Sequence, residues 1–113
     1  MLRLINLKDD VYNVDFAIKT VELAIENAKR EGLCAIKVLH GYGSHGRGGA
    51  IMLELRWILP LWKRQGFIAD FFGGDKWSLF DKKSQEILNA DKSIFGDCDL
   101  DKNNPGITII KLT

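Results

Sequence analysis

Cysteine, proline and histidine are scarce in this chain, with two of each among 113 residues. Cys34 and Cys98 follow no metal-ligand or redox spacing. One abuts an apolar run and the other sits in an acidic stretch, which excludes a disulfide framework, a zinc ribbon and a thioredoxin-type pair. Both are expected as free thiols in a reducing compartment. A dominant charge is also missing: 16 Lys and Arg face 15 Asp and Glu, for a formal net charge of +1. That excludes a strongly basic coat protein, although a local basic face remains open because binding depends on where charges sit. No apolar run approaches the roughly 20 residues needed to cross a bilayer. The opening Met1-Leu2-Arg3-Leu4-Ile5-Asn6-Leu7-Lys8 is too short and too polar for a signal peptide. A cytoplasmic protein without a membrane partner is the expectation. There is no internal repeat, low-complexity tract or linker. Residues 1–113 are read as one domain, long enough to build a core without disulfide or metal.

Periodicity supplies the elements. Leu2, Leu4, Ile5 and Leu7 form a short strand-like run that Asp9 and Asp10 end. Val14, Ala17, Ile18, Val21, Ala24, Ile25 and Ala28 then recur at helical spacing. Asn13 is placed to cap this helix, Asp15 suits its first turn, Lys29 and Arg30 its last, and Gly32 can supply a left-handed stop. Ala35–Leu39 reads as a second strand, joined to the first by a right-handed parallel crossover. A second helix should begin near Ala50 with Ile51, Leu55, Ile58, Leu59 and Trp62 on its inner side, ending or kinking at Pro60. Phe67–Phe72 is expected as a third strand closed by Gly73 and Gly74. Ser78 could cap a short helix carrying Leu79, Phe80, Ile87 and Leu88, and Gly106–Leu112 gives a β-branched final strand. The order β-α-β-α-β-β defines an α/β fold, a two-layer sandwich with helices packed on a mixed sheet of about four strands.

The segment His40-Gly41-Tyr42-Gly43-Ser44-His45-Gly46-Arg47-Gly48-Gly49 carries five glycines in ten residues, between the second strand and the second helix. A glycine-dense turn at a helix start lets an anion approach backbone N–H groups that have no intrahelical partner. Ser44, His45 and Arg47 add donors suited to phosphate. The segment lacks the Gly-Lys-Ser/Thr ending of a Walker loop and the acidic ribose partner of a dinucleotide fold. The His40 ring can either be packed against a backbone carbonyl or contact a ligand. Tyr42 can stack on an unpaired base or fold back over the helix. Trp57, Trp62 and Trp77 are expected in the core or at its edge. Asp97, Asp99, Asp101 and Asn103 alternate like a calcium loop, but Lys102 stands where a glycine is required and no bidentate glutamate follows. A solvated acidic loop is the expectation there, and Lys82-Lys83 is read as an exposed helix face.

Two segments together resemble a known family. Val38-Leu39-His40-Gly41-Tyr42-Gly43 is similar to the strand and His-Gly-x-Gly turn of the Smr (small MutS-related) domain. Pro105-Gly106-Ile107-Thr108-Ile109-Ile110-Lys111-Leu112 is similar to its closing glycine-threonine strand. Element order fits over nearly the whole chain. The resemblance implies a fold like the C-terminal domain of bacterial translation initiation factor three. It also implies RNA or DNA as the partner, and in some family members nicking or ribonuclease activity. One departure matters. Where the family usually has Leu-Asp-x-His, this chain has Ile5-Asn6-Leu7-Lys8. Asparagine cannot ionise as a base, and lysine cannot shuttle protons near neutral pH without a large pKa shift. Lysine still grips phosphate, so binding is weakened less than cleavage.

The expected nucleic-acid site is therefore Lys8, His40, Gly41, Tyr42, Gly43, Ser44, His45, Gly46 and Arg47, with the start of the second helix. No catalytic residue is assigned and no cofactor is expected; a divalent metal enters only if the chain cleaves, with Asp9 and Asp10 as the nearby carboxylates. The rival expectation keeps the fold but binds a protein partner through the 75–105 excursion. A small phosphorylated ligand is a weaker third.

Overall fold

The computed structural model describes residues 2–8, 13–41 and 47–113. Its elements run β1 (Arg3–Asn6), α1 (Val14–Arg30), β2 (Ala35–Leu39), α2 (Arg47–Arg64), β3 (Asp70–Gly73), α3 (Lys82–Ala90) and β4 (Ile107–Lys111), with 3-10 turns at Gly74–Lys76 and Lys92–Gly96. The four strands form one mixed sheet in the order β1-β2-β4-β3. β1 and β2 are parallel, while β4 runs antiparallel to both β2 and β3.

α1 follows its sequence signals closely. The Asn13 side chain accepts the Phe16 N–H at 2.7 Å, and Ala17, Val21, Ile25 and Ala28 are buried. Gly32 then turns the chain at φ +76°, a conformation that would strain any residue with a Cβ. α2 departs from expectation at both ends. It begins at Arg47 rather than near Ala50, and it runs through Pro60 to Arg64. Proline removes one helical N–H and crowds the preceding turn. Here Leu59 and Trp62, on either side of it, are 2% and 5% exposed, and their burial holds the helix together across the defect.

β3 also differs from the Phe67–Phe72 reading, since it spans Asp70–Gly73. The N–H groups of Phe67 and Ile68 both donate to the Trp62 carbonyl, so these residues close the end of α2 instead of joining the ladder. The Phe67 ring meets Trp62 edge-on at 5.4 Å. α3 is capped by Asp81, not Ser78: the Asp81 carboxylate accepts the Ser84 N–H at 3.1 Å. Trp57 is not a core residue; it is 79% exposed on the outer side of α2, whereas Trp62 and Trp77 are buried.

Strand alternation separates two apolar layers. Ile36, Val38 and Ile110 face α1 and α2, packing with Val21, Ile25, Leu55 and Leu59. Ala35, Ile107 and Ile109 face the other way, under Trp77, Ile87, Leu88, Ile94 and Leu100. The 75–105 excursion thus covers the second face of the sheet. Its acidic stretch is not a solvated loop. Lys37, a polar residue inside β2, points into this layer and donates to Asp97 Oδ1 at 2.8 Å and Asp99 Oδ2 at 2.7 Å. Asp97 also accepts the Trp77 indole N–H at 3.0 Å, and Asn104 donates to Asp99 at 3.1 Å.

Candidate functional site

The sheet order brings the C-terminal ends of β1, β2 and β3 and the N-terminal end of β4 to one edge. The register places Asn6 beside Leu39, Leu39 beside Ile107, and Thr108 beside Gly73. α2 starts from this edge. The first-turn N–H groups of a helix of 18 residues carry the positive end of its dipole there.

At the end of β1 the Asn6 side chain accepts the Lys8 N–H at 2.9 Å, and Leu7 donates to the Leu39 carbonyl at 2.8 Å. The Asn6 side chain thus helps turn the chain at the end of β1. Lys8 is exposed, and its methylenes lie across Gly41: a Cβ built on that glycine would sit 3.9 Å from Lys8 Cγ and Cδ. Lys8 is thereby brought beside Gly41.

The first two residues of the turn behave differently. The His40 and Gly41 N–H groups both donate to the Gly106 carbonyl at 3.0 Å, and Gly41 adopts φ +71°. These two amides are therefore occupied within the fold. The His40 ring is 1% exposed. Its Nδ1 lies 2.6 Å from the Gly41 carbonyl oxygen, which can only accept, so Nδ1 carries the proton. Nε2 then accepts the Thr108 hydroxyl at 2.8 Å. Burial pushes the imidazole pKa down, the bond to Gly41 opposes this, and the nearby Arg56 charge pushes it down further. A neutral ring with both nitrogens bonded ties β2 to β4 and is not a cationic phosphate grip. Of the two readings left open for His40, the packed one describes the described geometry.

Tyr42, Gly43, Ser44, His45 and Gly46 lie outside the described residues, and Arg47 enters only as the first residue of α2. Asp9 and Asp10 also lie outside them. Among the described residues no group of three or more His, Cys, Asp or Glu side chains is close enough to hold a metal ion. Among the same residues no helix is long and apolar enough to cross a membrane.

Beside the turn, a groove of about 510 Å³ opens between α2 and the β4–β3 side of the sheet. His40 and Thr108 contribute to its floor, Met52, Leu59 and Phe71 are apolar lining, and Arg56 and Asp75 bring opposite charges to it. Sequence reading passed over Arg56, Asp75 and Thr108 as site residues. Only Thr108 had a signal, as part of the closing strand; the other two come to one groove solely through the packing of α2 on the sheet.

Comparison with known proteins places this geometry. No family model matches the sequence, and no curated protein matches it significantly. Among solved structures, the chain is similar to the Smr domain of Thermus thermophilus MutS2, with a TM-score of 0.61, 20% identity and 99% of each chain covered. The fold is the Smr type, a small α/β arrangement with a mixed four-stranded sheet and three α-helices.

Proposed function

We propose that this chain is a nucleic-acid-binding module that holds the sugar–phosphate backbone at the β1–β2 edge. The observation that carries the reading is Lys8, two residues past the end of β1, laid across Gly41 at the edge from which α2 departs. Lys8 supplies a flexible cation, the first turn of α2 supplies N–H donors, and Ser44, His45 and Arg47 of the glycine-rich segment add to both. Tyr42 is assigned the stacking contact. His40 and Gly41 act by setting the path of the turn, because their amides and the imidazole are already bonded to Gly41, Gly106 and Thr108.

Binding without cleavage is the favoured form. General acid–base chemistry needs a group that can take and give a proton near neutral pH. Asn6 cannot do so, and the neutral, doubly bonded His40 ring is not positioned to. Short RNA and single- and double-stranded DNA titrated across a salt series test the proposal. Phosphate-led binding weakens steeply as salt rises, and Lys8→Ala lowers affinity while reducing the log–log salt slope by about one. Absence of binding at low salt overturns the reading. Loss of intact RNA or DNA in the presence of Mg²⁺ or Mn²⁺ overturns its non-cleaving form.

A second reading, a protein-interaction module, draws on one observation in the 75–105 excursion. Phe80 is 91% exposed, on a turn fixed by Leu79 N–H to Asp101, Phe80 N–H to Ser78 and Gln85 to the Leu79 carbonyl. Deleting the excursion would uncover the second apolar layer, so the appropriate probe is Phe80→Ser. Loss of a protein partner with retained nucleic-acid affinity would assign Phe80 a separate contact.

A further inference from the structure

We infer that the groove between α2 and β3–β4 receives an unpaired base, guanine above the others, from the strand whose backbone is held at the adjoining turn. This rests on the nucleic-acid reading above and names the substrate feature that the reading leaves open.

The groove exists because two neighbouring floor positions are small. Thr108 pairs with Val38, which faces α1 and α2, so Thr108 and its other partner Gly73 present the same face. At the next cross-strand pair on this face, Phe71 and Ile110 carry large apolar side chains, so the small pair leaves a step beside them. A Cβ on Gly73 would come within 2.7 Å of Asp75 Oδ1, so the carboxylate lies over the glycine where a strand side chain would otherwise stand. The volume falls in the range of small-molecule sites, roughly 300–1,000 Å³.

Two charges give the groove its chemistry. Asp75 and Arg56 both line it, and neither has a hydrogen-bond or ion-pair partner among the described residues. Elsewhere in the protein Asp97, Asp99, Asp70 and Glu31 each have a cationic partner. A carboxylate offers two acceptor oxygens and no donor, whereas a guanidinium offers forked donors. Guanine presents adjacent N1–H and N2–H donors on one edge and the O6 and N7 acceptors on the next. It can satisfy both groups at once, with Met52, Leu59 and Phe71 against its planar surface. Adenine and cytosine offer the carboxylate a single amino group, and uracil a single imino N–H. In a duplex the N1–H and N2–H donors are paired with cytosine, so the fit requires an unpaired base.

The test uses the full chain and short uridine oligomers with one central guanine, adenine, cytosine, uracil, inosine or abasic site, measured by fluorescence anisotropy at low salt. The central guanine is expected to bind about tenfold more tightly than the abasic site, with inosine, which lacks the N2 amino group, losing part of that gain. Asp75→Asn exchanges one acceptor for donors and is expected to abolish the guanine preference. Asp75 is exposed and bonded to nothing described, so the variant should fold. As a second measurement, guanosine monophosphate should shift the amide resonances of Gly73 and Thr108 in the wild-type chain. Equal affinity for all six oligomers, or a guanine preference that survives Asp75→Asn, overturns the groove assignment while leaving phosphate binding standing. Failure of every oligomer to bind overturns the nucleic-acid reading on which it rests.

Discussion

The two faces of the sheet treat charge in opposite ways. On the face covered by residues 74–105, Lys37 is nearly enclosed, yet its ammonium meets two carboxylates, one of which also takes an indole N–H. On the α2 face, at the glycine-rich edge, Lys8, Arg56 and Asp75 are exposed, and the latter two are paired with nothing described. A buried charge with all its partners supplied holds two segments together. An exposed charge beside a groove keeps its capacity for something that arrives from solution. Residues of the same chemical type thus serve the fold in one layer and are available to a ligand in the other.

The largest expected effect lies on the enclosed side. Lys37→Ala strands Asp97 and Asp99 without their cation and should destabilise the protein by about 3–5 kcal/mol, measured by urea unfolding. Recovery of most of that loss in Lys37→Met combined with Asp97→Asn and Asp99→Asn would confirm that stranded charge is the cause. Acid should act on the same group. Burial works against ionisation of Asp99, but the bonds from Lys37 and Asn104 outweigh it and hold its pKa below the usual value. The unfolded chain therefore binds the proton first as pH falls. Stability from this group is complete above about pH 4 and is lost as pH drops through the lower folded-state value. Lys37 mirrors this at the alkaline end. Burial lowers its pKa, its two carboxylates raise it by more, and its contribution disappears only as pH rises through the raised value.

Next in size is the junction between the faces. Thr108→Val removes the hydroxyl that His40 Nε2 accepts and should cost about 1–3 kcal/mol, since the nitrogen stays buried. Because the folded-state pKa of His40 is depressed, its contribution is complete above about pH 6.5 and falls as pH drops below that, so wild-type unfolding measured from pH 7.5 to 5 should show the decline. On the open side, Lys8→Ala should leave stability within about 0.5 kcal/mol of wild type in thermal melts while weakening the proposed nucleic-acid binding. A large stability loss there would erase the distinction between the faces. Smallest of all, Trp57→Ala should change unfolding by no more than about 0.5 kcal/mol, because the ring is mostly in solvent.

Much of this was legible in local pattern. Asn13, the Ala17–Val21–Ile25–Ala28 stripe and Gly32 specify α1 because capping and periodicity act over a few residues. Pro60 misled because propensity is local while the burial of Leu59 and Trp62 that overrides it is not. The acidic run 97–103 misled for the same reason: its partner, Lys37, lies 60 residues from Asp97 and inside a strand. For the candidate site, the glycine-rich segment and Lys8 stand out in the sequence as motif and position. That His40 is locked to Thr108, or that Arg56 and Asp75 share a groove, could not be read from spacing.

By itself, then, the amino-acid order determined the alternation of strands and helices and the place where a glycine-rich, donor-rich segment separates two of them, since both follow from interactions between near neighbours. Only the tertiary structure decided which charges are enclosed and which are left open. Burial and pairing depend on contacts across the sheet, between residues that the chain itself keeps far apart.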